Sequence, residues 1–313
     1  MNIMVNRYCN LKCPYCFAQQ IMSEREMPKQ MDLDSFDQCL EFDKKSGNKR
    51  VNIIGGEPFL IPNIGEYIDR IVRMDCFEEV LFFSNGTYDR EVNDLIQNYS
   101  KRIRINILIN LNSESDIGTD RYSNLLVNLQ DLYDKGICFD LGYNIYRRNQ
   151  DYSSFLALAK KYKKKRIRWA LVAPNGKELF RDHYKGLTEP GINFMREAYY
   201  ASVKPEIDCC SIPICLLNDE MIRSIALYAP ETFANKICRP SIDVLPDLSV
   251  VRCFAMSTSK QKKLCEFKNE REAYIYFIKE IDLKQGCERE SECDDCAIFN
   301  RYQRCCGCLK LRH

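Results

Sequence analysis

Apolar runs and amphipathic stretches alternate along the first half of the chain. The apolar runs predict strands at residues 2–6, 50–59, 79–87, 102–111, 137–146 and 166–174. The intervening stretches carry apolar residues at helical spacing and predict helices at residues 34–46, 64–74, 89–99, 121–135 and 152–164. Six strands separated by helices are typical of βαβ units, in which the strands are parallel. Several of these strands end in Gly, Asn, Ser or Pro, and loops at the carboxyl ends of parallel strands commonly carry the functional site.

The alternation stops after about residue 175. Helical spacing returns at residues 189–203, 218–228 and 270–282, and CRPSIDVLPDLSVVRCF (238–254) predicts a hairpin whose apolar arms flank PDLS. The sequence therefore predicts an α/β domain over residues 1–185, linking helices over 186–235, and a small cysteine-rich module over 236–313.

Composition indicates a large globular protein without a strong overall charge. Of 313 residues, 45% are hydrophobic, and 46 Lys and Arg nearly balance 44 Asp and Glu. This balance gives no field that would attract nucleic acid or an anionic membrane. The opening residues do not resemble a signal peptide, and no apolar run reaches the ~18 residues of a membrane helix. We expect a cytoplasmic protein.

Cysteine is unusually abundant. Twelve of the 18 cysteines lie from Cys209 onward, and three lie in the opening stretch. In a reducing compartment such cysteines favour metal binding over disulfides. Cys39, Cys76 and Cys138 stand alone and are expected to be core residues.

The opening stretch YCNLKCPYCF (8–17) has the spacing C-x-x-x-C-x-x-C, formed by Cys9, Cys13 and Cys16. A 4Fe–4S cluster takes one thiolate per iron. Three thiolates would leave the fourth iron open to a small molecule. Zinc is the main alternative, but no fourth ligand lies nearby, since the two histidines are His183 and His313.

The context of this motif resembles the radical S-adenosylmethionine (SAM) superfamily. The cysteines follow the first predicted strand, Tyr15 precedes Cys16, and GGEP (55–58) follows the second strand. The resemblance covers about residues 1–174 and implies a partial parallel (β/α)6 barrel. It also implies that Cys9, Cys13 and Cys16 hold a 4Fe–4S cluster whose open iron binds the amino and carboxylate groups of SAM.

The resemblance implies further SAM contacts at the strand ends. Gly55 and Gly56 would let the backbone approach the methionine amino group, and Glu57 would accept a hydrogen bond from it. Each remaining candidate is also compatible with an ordinary turn, cap or strand end. These candidates are Ser84 and Asn85 of SNGT, Asn110, Ser113, Asn144, and Val172 with Ala173.

The tail resembles the SPASM/twitch modules of radical SAM maturases, which bind one or two auxiliary 4Fe–4S clusters. By this resemblance Cys238 and Cys253, which flank the hairpin, would share one cluster with Cys308 and an upstream cysteine. Cys215 is the candidate for that upstream ligand, with Cys210 as the second choice. Cys293, Cys296 and Cys305 would begin a second cluster.

The tail departs from the SPASM/twitch pattern in two ways, and a zinc site is an alternative to the auxiliary clusters. PDLS lacks the glycine that is usual in the hairpin turn, and the sequence ends five residues after Cys308, before the expected final ligand of a second cluster. Either Cys265, Cys287 or Cys306 substitutes, or the second cluster is absent or keeps an open iron. A structural zinc ribbon formed by Cys293, Cys296, Cys305 and Cys308 is the alternative.

The resemblance implies an enzyme that cleaves SAM reductively to a 5′-deoxyadenosyl radical, which abstracts hydrogen from a substrate. The expected substrate is a peptide or protein side chain, modified by crosslinking, thioether formation or epimerisation. A small-molecule dehydrogenase, decarboxylase or epimerase is the alternative, and a non-catalytic iron–sulfur redox sensor is a third hypothesis. An electron donor such as a flavodoxin or ferredoxin is implied as a partner.

Two features bear on peptide recognition. The sequence begins directly at the barrel, so recognition is expected to fall to residues 175–235 or to a separate protein. The basic run KKYKKKRIR (160–168) is typical of a solvated face, and would otherwise form a docking patch for an acidic leader peptide.

Overall fold

The structure is a computed structural model and describes residues 1–16, 18–172, 180–207, 212, 214–233, 241–254, 257 and 260–282. The chain forms two compact units. The first contains residues 1–140 and 241–278, and the second contains residues 141–240 and 279–313. The modules expected at 1–185, 186–235 and 236–313 remain a prediction.

Four parallel strands form the centre of the first unit. Neighbouring strands are paired in register, with Ile3 beside Ile53 and Val80 beside Ile105. Apolar residues dominate these strands on both faces, as expected for a parallel sheet covered by helices. The strands, in spatial as well as chain order, are β1 (Asn2–Met4), β2 (Arg50–Ile54), β3 (Glu79–Ser84) and β4 (Arg104–Leu111).

Four helices of the first unit form where the sequence predicts them, at residues 34–46, 64–74, 89–99 and 121–135, and two short helices were not predicted. Asp32 caps one of them by accepting a hydrogen bond from the backbone N–H of Ser35 at 2.7 Å. Another buries Ile64, Tyr67, Ile68 and Ile71, which lie on one face at helical spacing. The helices are α1 (Gln19–Ser23), α2 (Leu33–Lys45), α3 (Ile64–Arg73), α4 (Glu91–Tyr99), α5 (Glu114–Ile117) and α6 (Thr119–Asp134).

The second unit continues the alternation of strands and helices. Its core packs Phe194 against the rings of Tyr143 and Trp169, at centroid distances of 5.0 and 5.8 Å. Its three strands are parallel and adjacent in chain order, and the last was not predicted from the sequence. Its elements are β5 (Cys138–Ile145, which begins in the first unit), α7 (Ser153–Lys161), β6 (Arg166–Leu171), α8 (Phe180–Tyr200), β7 (Lys204–Ile207) and α9 (Asp219–Tyr228).

The predicted hairpin is confirmed. Its arms β8 (Asp243–Val244) and β9 (Ser249–Val251) are antiparallel. β8 also pairs in parallel with β1, so the hairpin extends the sheet of the first unit. A short strand β10 (Lys262–Lys263) pairs with β9, and helix α10 (Glu270–Glu280) follows.

The six predicted strands of the first half and the helices between them all form.

Among the described helices, none combines the length and the apolar character needed to cross a membrane.

Candidate functional site

The three cysteines of the opening motif lie on one loop after β1. Cys9, Cys13 and Cys16 are each partly buried. The loop tightens at its end, where the backbone N–H of Cys16 donates to the carbonyl of Cys13 at 3.1 Å. The N–H of Gln19 then donates to the carbonyl of Cys16 at 3.4 Å and leads into α1. A single short loop therefore presents three thiols.

These thiols are close enough to influence one another. Burial, and then the neighbouring charges of Cys16 and Cys9, raise the pKa of Cys13 to about 12. Burial is also the main cause that raises the pKa of Cys9 and of Cys16. A cationic metal centre stabilises thiolates, so it would offset the cost of ionising these buried groups.

The arrangement fits a 4Fe–4S cluster. Each thiolate of such a cluster takes its own iron, so the sulfurs lie further apart than the ligands of a single ion. Within the described ranges, no three His, Cys, Asp or Glu side chains converge as ligands of one metal ion would. Three partly buried thiols on one loop are the donor set that a cluster with one open iron requires.

The GGEP segment packs directly on the cysteine loop. The backbone N–H groups of Gly56 and Glu57 donate to the carbonyls of Asn6 and Tyr8, both at 2.9 Å. A Cβ on Gly56 would lie 2.1 Å from the Tyr8 carbonyl oxygen, and a Cβ on Gly55 would lie 2.1 Å from Asn6 Oδ1. Gly56 is therefore required by close contact with the backbone leading to Cys9, whereas the atom nearest to a Cβ on Gly55 belongs to the Asn6 side chain.

The carboxylate of Glu57 joins GGEP to the SNGT loop. Its Oε1 accepts hydrogen bonds from Ser84 Oγ at 2.9 Å and from the Phe59 N–H at 3.2 Å. Its Oε2 accepts one from the Asn85 N–H at 2.7 Å. Burial raises the pKa of this fully enclosed carboxyl to about 7, although the three hydrogen bonds oppose that shift. The side chain thus bonds to the protein itself.

Hydrogen bonds among Asn10, Asn85 and Thr87 connect the SNGT loop to Cys9. Asn85 Oδ1 accepts from both the N–H and the hydroxyl of Thr87, each at 2.7 Å. Asn85 Nδ2 donates to Asn10 Oδ1 at 2.9 Å and to Cys9 Sγ at 3.4 Å. Asn10 Nδ2 in turn donates to the carbonyl and the hydroxyl of Thr87, at 2.8 and 3.0 Å.

Helix α6 supports the same loop from the other side. Asn128 is fully buried, and its Nδ2 donates to the carbonyls of Gly86 and Tyr88, both at 2.9 Å. Gly86 has a φ of +75°, and a Cβ there would lie 2.5 Å from Leu125 Cδ1. The loop that carries Asn85 is therefore fixed in position.

One contact of the cysteine loop was not predicted. Asn112 Oδ1 accepts a hydrogen bond from Tyr15 at 2.5 Å and lies 3.6 Å from Cys13 Sγ. Asn112 Nδ2 donates to the Asn110 carbonyl at 3.1 Å. Asn110 and Ser113 were predicted as site residues at this strand end, but Asn112 was not. Strand alternation, which places 110 and 112 on one face, was the available signal.

Arg7 fixes the segment that follows the cysteines. Its buried guanidinium donates to the carbonyls of Pro28 and Ile21, at 2.8 and 2.9 Å. It also donates to the carbonyls of Met22, at 3.3 Å, and Met27. The sequence gave no indication of this role, because one arginine beside a strand has no distinctive pattern.

The other candidate SAM contacts fall into two groups. In the first unit, Ser84 is buried and bonded to Glu57, and Ser113 Oγ bonds to Asp116 Oδ2 at 2.6 Å. In the second unit, Asn144 lies near the end of β5 and Val172 follows β6. The Val172 carbonyl is 2.7 Å from His183 Nε2. Ala173 lies outside the described residues.

The candidate auxiliary cysteines are only partly described. Cys215 is exposed in the second unit, within the short helix Ile214–Leu216, and Cys253 is partly buried in the first unit after β9. Cys265, a possible substitute, is exposed. The other members lie outside the described residues: Cys238, Cys287, Cys293, Cys296, Cys305, Cys306 and Cys308.

The basic run occupies the turn between α7 and β6. Lys160, Lys161, Lys163 and Lys165 are exposed. They lie near the amino end of β6, whereas Val172 lies at its carboxyl end. The observed exposure agrees with a solvated face.

A comparison with protein families shows the family of this chain. The family model described as "Radical SAM superfamily" matches residues 3–178, more than half of the chain. The chain belongs to the radical SAM superfamily. SAM and a 4Fe–4S cluster are therefore its cofactors, and its α/β fold with a mostly parallel, unclosed sheet is the partial barrel of that family.

Curated relatives of this radical SAM protein match one part of it. A "GTP 3',8-cyclase" from Alkaliphilus metalliredigens is 24% identical over 108 residues, which are 34% of this chain and 34% of the relative. The "Antilisterial bacteriocin subtilosin biosynthesis protein AlbA" of Bacillus subtilis is 31% identical over 108 residues, 34% of this chain and 23% of AlbA. The matched stretch thus spans about a third or less of these relatives.

Solved structures resemble the radical SAM chain over nearly its whole length. Streptococcus suis SuiB, in a crystal structure bound to precursor peptide SuiA, has a TM-score of 0.60 and 16% identity. The likeness covers 99% of this chain and 69% of SuiB. "Native anSMEcpe with bound AdoMet and Kp18Cys peptide" has a TM-score of 0.65 and 15% identity, over 99% of this chain and 89% of that one. At these identities the likeness shows the fold.

Proposed function

We propose that this protein is a radical SAM enzyme that modifies a peptide or protein side chain, with Cys9, Cys13 and Cys16 as the ligands of its SAM-binding cluster. The observation that supports the ligand assignment most strongly is the enclosure of the cysteine loop. GGEP contacts it through Gly56, and the SNGT loop contacts it through Asn85. Loops from three adjacent strand ends thus build one site around these thiols.

SAM bound to a reduced cluster supplies a one-electron cleavage of a carbon–sulfur bond and hence a radical able to remove hydrogen from an unreactive carbon. The residues of this chain hold and shield that chemistry. Ser84 donates to Glu57, and Glu57 accepts from the Asn85 N–H, so these residues support the loops. Glu57, Ser84 and Asn85 also stay proposed SAM contacts. Backbone groups of Gly55 and Gly56, with Asn110, Ser113, Asn144 and Val172, remain the proposed SAM contacts.

A peptide substrate is favoured by the proteins that share this fold. The SuiB structure contains precursor peptide SuiA, and the anSMEcpe structure contains the Kp18Cys peptide. AlbA, related in sequence, is a bacteriocin biosynthesis protein. The reaction proposed for this chain is crosslinking, thioether formation or epimerisation.

One or two auxiliary 4Fe–4S clusters complete the proposal. Cys215 and Cys253, with Cys238, Cys293, Cys296, Cys305 and Cys308, are the proposed ligands. The antiparallel pair of β8 and β9, which precedes Cys253, supports this assignment. An electron donor such as a flavodoxin or ferredoxin would reduce the clusters.

A small-molecule substrate is the second candidate. The relationship to a GTP 3',8-cyclase over 108 residues favours it. Dehydrogenation, decarboxylation or epimerisation of a small molecule would use the same SAM-binding site.

Substrate-dependent product formation tests the proposal. Reconstituted protein is incubated anaerobically with SAM, dithionite and either short peptides encoded beside its gene or GTP. Mass spectrometry follows 5′-deoxyadenosine and the mass of each substrate. A mass change in a peptide, absent with Cys13→Ala, supports peptide modification. Conversion of GTP with no change in any peptide would overturn it in favour of the second candidate.

A further inference from the structure

The amide of Asn85 lies against a proposed cluster ligand. Its Nδ2 is 3.4 Å from Cys9 Sγ, a distance compatible with an N–H···S hydrogen bond. The Leu11 backbone N–H also lies 3.4 Å from this sulfur. Cys9 therefore receives two donors.

The orientation of this amide is determined by its neighbours. Oδ1 of Asn85 accepts two hydrogen bonds from Thr87, whose N–H can only donate. The amide nitrogen must therefore face the opposite side, where Asn10 Oδ1 and Cys9 Sγ lie. Asn10 is itself oriented, because its own nitrogen donates to the Thr87 carbonyl.

The position of Asn85 is equally constrained. Its backbone N–H donates to Glu57, and Asn128 holds the next peptide through the Gly86 carbonyl. Asn85 is 8% exposed, so water competes little for its amide. Such preorganisation makes a hydrogen bond to a charged acceptor effective.

Cys13 has a different environment. Asn112 presents its Oδ1 toward Cys13 Sγ, and its nitrogen is engaged by the Asn110 carbonyl. The side-chain amide nearest to Cys9 offers a donor at 3.4 Å, and the acceptor Asn10 Oδ1 is further away at 4.0 Å. The side-chain amide nearest to Cys13 offers an acceptor at 3.6 Å. The hydrogen-bonding environments of the two thiols are therefore unequal.

We propose that Asn85 is a positioning residue that raises the reduction potential of the cluster through its hydrogen bond to Cys9. Reduction adds negative charge that spreads onto the thiolate sulfurs, and a donor stabilises that charge. The inference rests on the assignment of Cys9 as a ligand in the proposed function. It gives Asn85 a role toward the cluster that is separate from the expected SAM contact.

Asn85→Asp is the direct test. The variant keeps the acceptor oxygen for Thr87 and replaces the donor with a carboxylate oxygen. We expect the ratio of reduced to oxidised cluster, titrated by electron paramagnetic resonance without SAM, to fall at least tenfold at a fixed potential, a shift of about 59 mV. Asn85→Ala, which removes the donor without adding a charge, should lower the ratio in the same direction, and its equality with wild type would overturn the inference. The control Asn98→Asp, at an exposed site in α4, changes the net charge as Asn85→Asp does and should leave the ratio unchanged. Equal titrations of wild type and Asn85→Asp would overturn the inference.

A second measurement tests the inference if Asn85→Asp fails to bind the cluster. Wild-type protein labelled with ¹⁵N-asparagine should show a ¹⁵N coupling in pulsed spectra of the reduced cluster, retained in Asn98→Asp. Absence of that coupling in wild type would overturn the inference. Cys9→Ala distinguishes a failure of the Asn85 inference from a failure of the proposed function. A full SAM-binding cluster in that variant would contradict the assignment of Cys9 as a ligand.

Discussion

The carboxylate of Glu57 accepts a hydrogen bond from the backbone N–H of Asn85 at 2.7 Å. This bond joins the loop after β2 to the loop after β3. Because the Asn85 side chain contacts Cys9, the chain of contacts runs from a buried acid to a cysteine of the opening motif. Much of the geometry of the site therefore depends on Glu57.

Replacing Glu57 by Gln should destabilise the protein. The amide of Gln keeps one acceptor oxygen. Its NH₂ group, however, would face N–H or O–H groups whose hydrogen bonds the carboxylate now accepts. We expect a loss of about 1–3 kcal/mol in the free energy of unfolding, the usual cost of unpaired buried polar groups. Urea denaturation measures it, with the exposed Glu66→Gln as control. Equal stabilities of the two variants would contradict the role of Glu57.

The glycine of SNGT should be needed for space as well as for its backbone angle. Gly86 and Gly47 both have positive φ, +75° and +77°, but only Gly86 has atoms within 4 Å of an added Cβ. Gly47→Ala should cost about 1 kcal/mol from backbone strain. Gly86→Ala should cost about 1–3 kcal/mol more, because its Cβ would overlap Leu125. Thermal unfolding of both variants tests this, and similar losses would refute the steric part.

Gly56 should be required for cluster assembly. A Cβ would lie 2.1 Å from the carbonyl oxygen and 2.4 Å from the carbonyl carbon of Tyr8, and a backbone cannot yield as a side chain can. Gly56→Ala should therefore displace Cys9, and we expect the reconstituted protein to lose most of the iron of the SAM-binding cluster, about four irons per protein, while the proposed auxiliary clusters keep theirs. The control Gly65→Ala, where the nearest atom is the Tyr99 hydroxyl at 3.3 Å, should retain its iron. Full iron in Gly56→Ala would show that the loop tolerates the displacement.

Asp243 should make stability depend on pH. Burial raises the pKa of this carboxyl to about 7, against an ordinary value of about 3.9. The acid is then protonated in the folded state at pH values where the unfolded state has released the proton. The contribution of this carboxyl to the free energy of unfolding is complete below about pH 4. It is lost as the pH rises toward 7.

The matched comparison is Asp243→Asn, which lacks this titration. Asn2 Nδ2 donates to Asp243 Oδ1 at 2.7 Å, and the amide of the variant can still accept that bond. Between pH 5 and 7 the wild type should lose on the order of 2 kcal/mol more of its unfolding free energy than the variant. Parallel curves from urea denaturation would contradict the raised pKa.

The sequence predicted the elements well where the hydrophobic period was clear. The helix expected at 64–74 is α3, and the strand expected at 102–111 contains β4. By contrast, β7 has the sequence KPEI, whose proline and charges give no strand signal, and only pairing with β6 reveals it. The hairpin was predicted, but its parallel pairing with β1 is a long-range contact that no local pattern encodes.

The site was predictable in its motifs and less so in its contacts. Cys9, Cys13 and Cys16 were predicted from their spacing together with the resemblance to the radical SAM superfamily, and the role of GGEP was implied by that resemblance. Local sequence could not show that the carboxylate of Glu57 bonds inward to the SNGT loop, because burial depends on the assembled sheet. Asn112 was overlooked because a polar run at a strand end does not identify the side chain that faces the neighbouring loop.

Formation of 5′-deoxyadenosine from SAM is the most direct test of the central claim, that the opening cysteines hold a cluster that cleaves SAM. Reconstituted wild type with dithionite and SAM, supplied with peptide substrate, should form 5′-deoxyadenosine. Cys13→Ala should form none, and Cys76→Ala, which alters a cysteine outside the motif, should match wild type. Equal formation by Cys13→Ala and wild type would contradict the claim.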